Sequence, residues 1–201
     1  MIEPKIIEKK IKLVIGKRGS GKSYLVKKMI ADEKYLFIWD LMSEYNEGVV
    51  FERESLAKMC EFWQNHYRRP HRIIYRPLRP KFEIGFIALA IYNLGNIVFV
   101  VEEIDSVCDA YNMPEYFSNI VQRGRHKNIT LVGVTPAPFG IHRDLTRQAK
   151  EIYIFNTNEP RDIQYLSNLL GSAITEKIQS LRQHEYVLWQ DGIDGYTTGT
   201  A

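Results

Sequence analysis

The segment that most limits how this chain can fold is Gly16-Lys17-Arg18-Gly19-Ser20-Gly21-Lys22-Ser23. It lies between an apolar run, Ile11 to Ile15, and a stretch from Lys22 to Glu33 with Leu25, Val26, Met29 and Ile30 at helical spacing. A strand that enters such a loop and leaves it as a helix lets consecutive backbone N–H groups converge on one anion. Glycines are needed at Gly16, Gly19 and Gly21, where side chains would collide or φ would be forbidden. The helix adds the positive end of its dipole at the same place. Lys22 supplies a point charge for β- and γ-phosphates, and the Ser23 hydroxyl supplies a ligand for Mg2+. The loop, with the adjoining Tyr24, is therefore expected to bind ATP and Mg2+.

The remaining pattern sets the class. Short apolar runs rich in β-branched and aromatic residues fall at Tyr35 to Trp39, Arg72 to Arg76, Asn96 to Val101, Ile129 to Val134, Glu151 to Phe155 and Tyr186 to Trp189. Segments of helical period separate them: Ser55 to Tyr67, Phe82 to Asn93, Glu115 to Gln122, Arg161 to Leu170 and Ile174 to Leu181. Alternation of this kind predicts an α/β fold with a mainly parallel central sheet covered by helices on both faces. With 201 residues, 45% of them hydrophobic, the chain suffices for one well-packed domain and is short for two. We read residues 1–201 as that domain, with an N-terminal extension at 1–9 and a Gly- and Thr-rich tail at 191–201 that is loose or engaged with a neighbour.

A formal charge of +3 is too nearly balanced to mark a nucleic-acid binder by charge alone. Cys60 and Cys108 lack CxxC spacing, so neither a disulfide framework nor a zinc site is expected, and both read as buried or incidental. The stretch from Met1 to Lys12 is too charged for a signal peptide, and no apolar run approaches the roughly 20 residues of a bilayer crossing. A soluble, intracellular protein is expected.

Attack on a γ-phosphate needs an acid near the Mg2+ shell and, for hydrolysis, a second carboxylate that aligns and activates water. The run Asn96 to Val101 ends in Glu102-Glu103, at the carboxyl end of an apolar strand where open α/β sheets bind ligands. Glu102 would hold the hydration shell of Mg2+, and Glu103 would act as the base. The alternative is that the pair only opens the next loop, with Asp105 equally placed. Paired acids favour hydrolysis, whereas a kinase needs one acid and a lid.

With the glycine loop and the paired acids in place, the chain resembles the FtsK/HerA superfamily of ATP-driven DNA pumps. Within it, the likeness is to the small genome-packaging ATPases of membrane-containing viruses. It extends from about Lys10 to Gly192. Asp40-Leu41-Met42-Ser43-Glu44-Tyr45 is similar to the D-x-x-x-E-Y element of these pumps, although Asp40 alone also reads as a polar strand end. Gln122-Arg123-Gly124-Arg125-His126-Lys127-Asn128 resembles their arginine-bearing segment, which implies that Arg125, or failing it Arg123, is a finger entering a neighbour's site. Thr135 falls at the γ-phosphate sensor position, but Pro136 stands where the family usually has glutamine, and Glu102 where it usually has aspartate.

The resemblance implies a P-loop NTPase, RecA/HerA-like three-layer sandwich. It also implies a ring of five or six subunits that hydrolyses ATP and drives double-stranded DNA into a preformed capsid. Capsid-vertex or virion membrane proteins would be partners, and the location would be the host cytoplasm or the packaging vertex. The alternatives are a P-loop kinase, with residues 122–127 as its lid, and a nucleotide-gated phage assembly or export factor.

A motor of that kind holds the phosphodiester backbone without reading sequence. Arg68, Arg69, Arg72, Arg76, Arg79 and Lys81 are the candidates for this contact, on stiff loops set by Pro70, Pro77 and Pro80. A solvated charged face accounts for the same residues equally well.

Overall fold

Each of the apolar runs becomes a strand of one nine-stranded sheet in the computed structural model, which describes residues 10–53 and 55–201. The extension expected at residues 1–9 lies outside the described residues. In chain order the strands are β1 (Ile11–Ile15), β2 (Tyr35–Trp39), β3 (Val49–Phe51), β4 (His71–Tyr75), β5 (Ile97–Val101), β6 (Ile129–Thr135), β7 (Ala149–Phe155), β8 (Glu185–Gln190) and β9 (Thr197–Thr200). They lie side by side as β3-β4-β2-β5-β6-β1-β7-β8-β9. Pairing is parallel from β3 to β7 and antiparallel for β8 and β9.

The helices are α1 (Lys22–Met29), α2 (Leu56–His66), α3 (Pro80–Leu94), α4 (Glu115–Arg123), α5 (Arg143–Gln148), α6 (Pro160–Leu170) and α7 (Ser172–Ser180). Successive strand residues point to opposite faces, and the core divides accordingly. On one face Leu13, Phe37, Trp39, Phe99, Val101 and Leu131 pack with Trp63 of α2, Ile87 of α3, Phe117 of α4, Leu145 of α5, Leu166 of α6 and Ile178 of α7. On the other, Val14, Leu36, Ile38, Val100, Val132 and Val134 pack with Leu25 and Val26 of α1. The three layers are thus unequal: among the described residues α1 alone of these helices packs on the second face. Each large side chain buried in this way favours folding by about 1.5–3 kcal/mol over its exposed state.

Several elements depart from the sequence reading. The helix begun at Lys22 ends at Met29 rather than Glu33. The short edge strand β3 and the short helix α5 were not foreseen. The tail expected to be loose or engaged with a neighbour instead holds β9, whose Thr200 and Gly199 face Glu185 and Tyr186 of β8. Gly199 permits this pairing, because a Cβ there would lie 2.4 Å from the Tyr186 hydroxyl. Cys60 is exposed and Cys108 buried, and both are free thiols, within the reading of the two as buried or incidental. No helix among the described residues is long and apolar enough to cross a membrane.

Candidate phosphate and hydrolysis site

Parallel registry brings the ends of four central strands to one edge. Ile15 faces Thr135, and Val101 faces Trp39 and Gly133, so the residues that follow β1, β2 and β5 emerge beside the end of β6. The glycine loop leaves this edge. Its first amide, Gly16 N–H, donates to Thr135 O at 3.1 Å. A Cβ on Gly16 would lie 2.7 Å from Phe155 Cβ and 2.8 Å from Ser20 Oγ, which leaves room only for glycine. Gly19 and Gly21 take φ of +77° and +108°, conformations that L side chains rarely adopt.

Lys22 opens α1 almost buried, and its ammonium donates to Lys17 O at 3.2 Å. Burial lowers its pKa, while Glu102, Glu103, Glu44 and Asp105 act in the opposite sense. The buried Ser20 hydroxyl has no partner among the described residues. A glycine cradle ahead of a helix and one buried ammonium, with the charges of Glu102, Glu103, Glu44 and Asp105 acting on that ammonium, fit a triphosphate carrying Mg2+.

Glu102 is 2% exposed, and its amide donates to Trp39 O at 3.1 Å. The Tyr45 hydroxyl donates to its Oε1. Burial pushes its carboxyl up to about 7, helped by Glu44 and Glu103 and opposed by Tyr45 and Lys22. Glu103 is half-buried, with φ of 49°. A non-glycine residue is held in that region only when its surroundings enforce it. Burial and then Asp105 raise its pKa, against Lys22 and Arg18.

Asp40 organises the neighbouring loop. Fully buried, it accepts from the amides of Glu44 at 2.9 Å and Tyr45 at 3.3 Å, and from Arg76 Nε at 3.1 Å. Arg76 also pairs with Glu52 and donates to Tyr45 O and Asn46 Oδ1. The D-x-x-x-E-Y element is thus a bracket that turns Tyr45 back onto Glu102. No role was assigned to Tyr45 from sequence. A tyrosine five residues beyond a buried strand-end aspartate was the signal.

The sequence gives His184 no role at this site. Its Nδ1 lies 3.2 Å from Ser20 O, and a Cβ on Gly21 would lie 3.1 Å from that same nitrogen. The chain just before β8 therefore rests against the phosphate loop, and nothing in its local sequence announces this.

The other site candidates separate into three groups. Thr135 ends β6 fully buried beside the loop. Tyr24 is 57% exposed on α1, with Lys28 Nζ 4.7 Å from its ring centroid. Arg123 and Arg125 are exposed and precede β6, at the opposite end of that strand from the phosphate loop. They do not meet Lys22 or Ser23 of this chain.

The basic stretch is divided by β4. Arg68 and Arg69 precede it, away from the phosphate loop, while Arg79 and Lys81 follow it, and all four are exposed. Arg72 and Arg76 must be withdrawn as free cations. Arg72 Nη1 donates to the carbonyls of Ile30, Ala31 and Glu33, and its Nε to that of Glu47, while Arg76 is committed to Asp40 and Glu52. Arg72→Ala is expected to lower unfolding stability by about 1.5–3 kcal/mol, the worth of charge-assisted hydrogen bonds. A urea melt with an unchanged midpoint would show that Arg72 is free after all.

A phosphate loop after β1, acids after β5 and a parallel sheet with this strand order define the P-loop NTPase fold. Among solved structures, the genome packaging NTPase B204 from Sulfolobus turreted icosahedral virus 2, in complex with AMPPCP, matches with a TM-score of 0.76. The sequences are 21% identical, over 95% of this chain and 97% of that one. B204, the DNA-packaging ATPase from Sulfolobus turreted icosahedral virus, matches at 0.72 with 20% identity, over 94% and 96% of the two chains. VirB4 of Thermoanaerobacter pseudethanolicus matches at 0.62 with 12% identity, over 93% and 88%. No protein-family model and no curated protein matches the sequence.

Proposed function

We propose that this chain hydrolyses ATP with Mg2+ and works as a ring motor that drives double-stranded DNA, in packaging a viral genome into a preformed capsid. The observation that carries the reading is the strained, half-buried Glu103 held beside Lys22 and the glycine loop. The fold is also shared along nearly the whole chain with B204, a genome packaging NTPase.

In this reading the loop amides and Lys22 would hold the β- and γ-phosphates, and Ser23 and Glu102 would hold Mg2+, which would supply charge neutralisation at the phosphates. Glu103 takes the proton of a water whose oxygen bonds to the γ-phosphorus as the bond to the β-phosphate oxygen breaks, releasing ADP and phosphate. A finger from Arg125, or Arg123, of an adjacent subunit completes the site. Its place at the far end of β6 suits delivery to a neighbour and argues against a kinase lid closing over the same subunit.

Arg79 and Lys81 remain as backbone contacts at the loop end of the sheet, and Arg68 and Arg69 at the other. Five or six subunits at a capsid vertex or virion membrane, reached from the host cytoplasm, complete the picture, with residues 1–201 acting as one unit.

Mixing Arg125→Ala chains with Lys22→Ala chains tests the shared site. Neither alone should turn over ATP, and the mixture should recover part of the DNA-stimulated rate, because some junctions then pair an intact loop with an intact finger. Absence of recovery, with activity independent of protein concentration and of DNA, overturns the ring.

A further inference from the structure

We propose that Asp105 is the positioning residue of the hydrolysis site: it fastens the turn bearing Glu103 to the end of β6, so that Thr135 acts through Asp105 and not on phosphate. This inference rests on the assignment of Glu103 as the base.

The left-handed backbone at Glu103 begins a single 3-10 turn, Ile104–Ser106, closed by Ser106 N–H to Glu103 O at 2.8 Å. One turn of that kind does not hold a strained residue by itself. Two contacts on one strand do. Ile104, fully buried, presses on β6 at Gly133, where a Cβ would lie 2.8 Å from Ile104 Cδ1. Asp105 Oδ1 accepts from Thr135 Oγ1 at 3.1 Å. Residues 133 and 135 lie on the same face of the strand, so consecutive side chains of the turn meet alternate residues of β6 and fix both its position and its rotation.

Thr135 is also the residue that meets the phosphate loop, through its carbonyl and Gly16 N–H. One hydrogen bond therefore links the loop to Thr135, and another links Thr135 to the turn that aims Glu103. The threonine hydroxyl has a single proton, directed to Asp105 or to Ala137 O at 3.2 Å, and its oxygen accepts from Ala137 N–H at 3.2 Å. That proton is committed within the protein, which leaves Thr135 no donor for a γ-phosphate.

The test separates binding from chemistry. Single-turnover hydrolysis and the Kd for ATP are measured for Asp105→Ala, Thr135→Val and the double variant. Each single variant is expected to lose about 10²-fold in rate, the cost of displacing a reacting group by about 1 Å, with Kd within about twofold. The double variant should lose no more than either single one, because both remove the same bond. Asp105→Asn and Thr135→Ser, which keep an acceptor and a donor, should recover most of the loss, and they carry the test if the larger changes unfold the chain.

Additive losses, or a Kd raised by Thr135→Val and not by Asp105→Ala, overturn the inference in favour of a direct phosphate contact. A Glu103→Gln chain at full rate removes Glu103 as base. A slow Glu103→Gln chain together with a fast Asp105→Ala chain removes only the role of Asp105.

Discussion

Glu103→Gln is expected to slow ATP turnover by about 10³-fold while leaving the Kd for ATP within a few-fold, within the range of a lost general base. The amide keeps the size of the carboxylate and makes no new demand on the left-handed backbone at this position. What it loses is the ability to accept the proton of the attacking water. Phosphate affinity should survive, because the loop amides, Lys22 and Ser23 are untouched. Single-turnover hydrolysis read beside nucleotide binding checks both halves. Turnover at the parental rate would move the base elsewhere.

Asp40→Ala is expected to destabilise the fold by about 3–5 kcal/mol, the usual cost of stripping one partner from a buried ion pair. Arg76, whose side chain is 13% exposed, would keep its charge without its fully buried partner. The amides of Glu44 and Tyr45 would lose their acceptor as well. For a chain of this size the melting temperature should fall by roughly 6–20 °C. Asp40→Asn, which retains an acceptor for the amides, should fall less. A melt within a degree or two of the parent would mean that the bracket around Tyr45 contributes little. Tyr45 reaches Glu102 from that bracket, so the damage should extend to Mg2+-dependent hydrolysis at temperatures where the variant is still folded.

The parts of this site legible in sequence are those that local chemistry dictates. Glycines at 16, 19 and 21 before a lysine and a serine state their purpose within eight residues, and strands buried on both faces read as unbroken apolar runs. β3 and β9 escaped notice because neither needs such a run. β3 is three residues at the sheet edge, and β9 is Thr-Thr-Gly-Thr, ordered by main-chain pairing and by the space Gly199 leaves for Tyr186.

The early end of α1 has a long-range cause, since Arg72 collects carbonyls just beyond Met29 from about 40 residues away in sequence. The same bonds remove Arg72 from the basic stretch, which a count of charges has no means of revealing. Asp105 stood level with Glu103 on sequence. The registry of β5 against β6 tells them apart, by placing Thr135 within reach of Asp105.

The arginines that precede β6 and the phosphate loop beside its far end are separated by the length of that strand, about 23 Å for seven residues. If a neighbouring subunit delivers Arg125 to Lys22 without tilting, it must be shifted along the strands by that distance. In the ring proposed above, the loop end of one sheet would therefore meet the far end of the next, a head-to-tail contact in which the surface that gives a finger and the surface that takes one are different. Each subunit of such a ring would take a finger at one end of β6 and lend one from the other, so a chain on its own would lack a complete site.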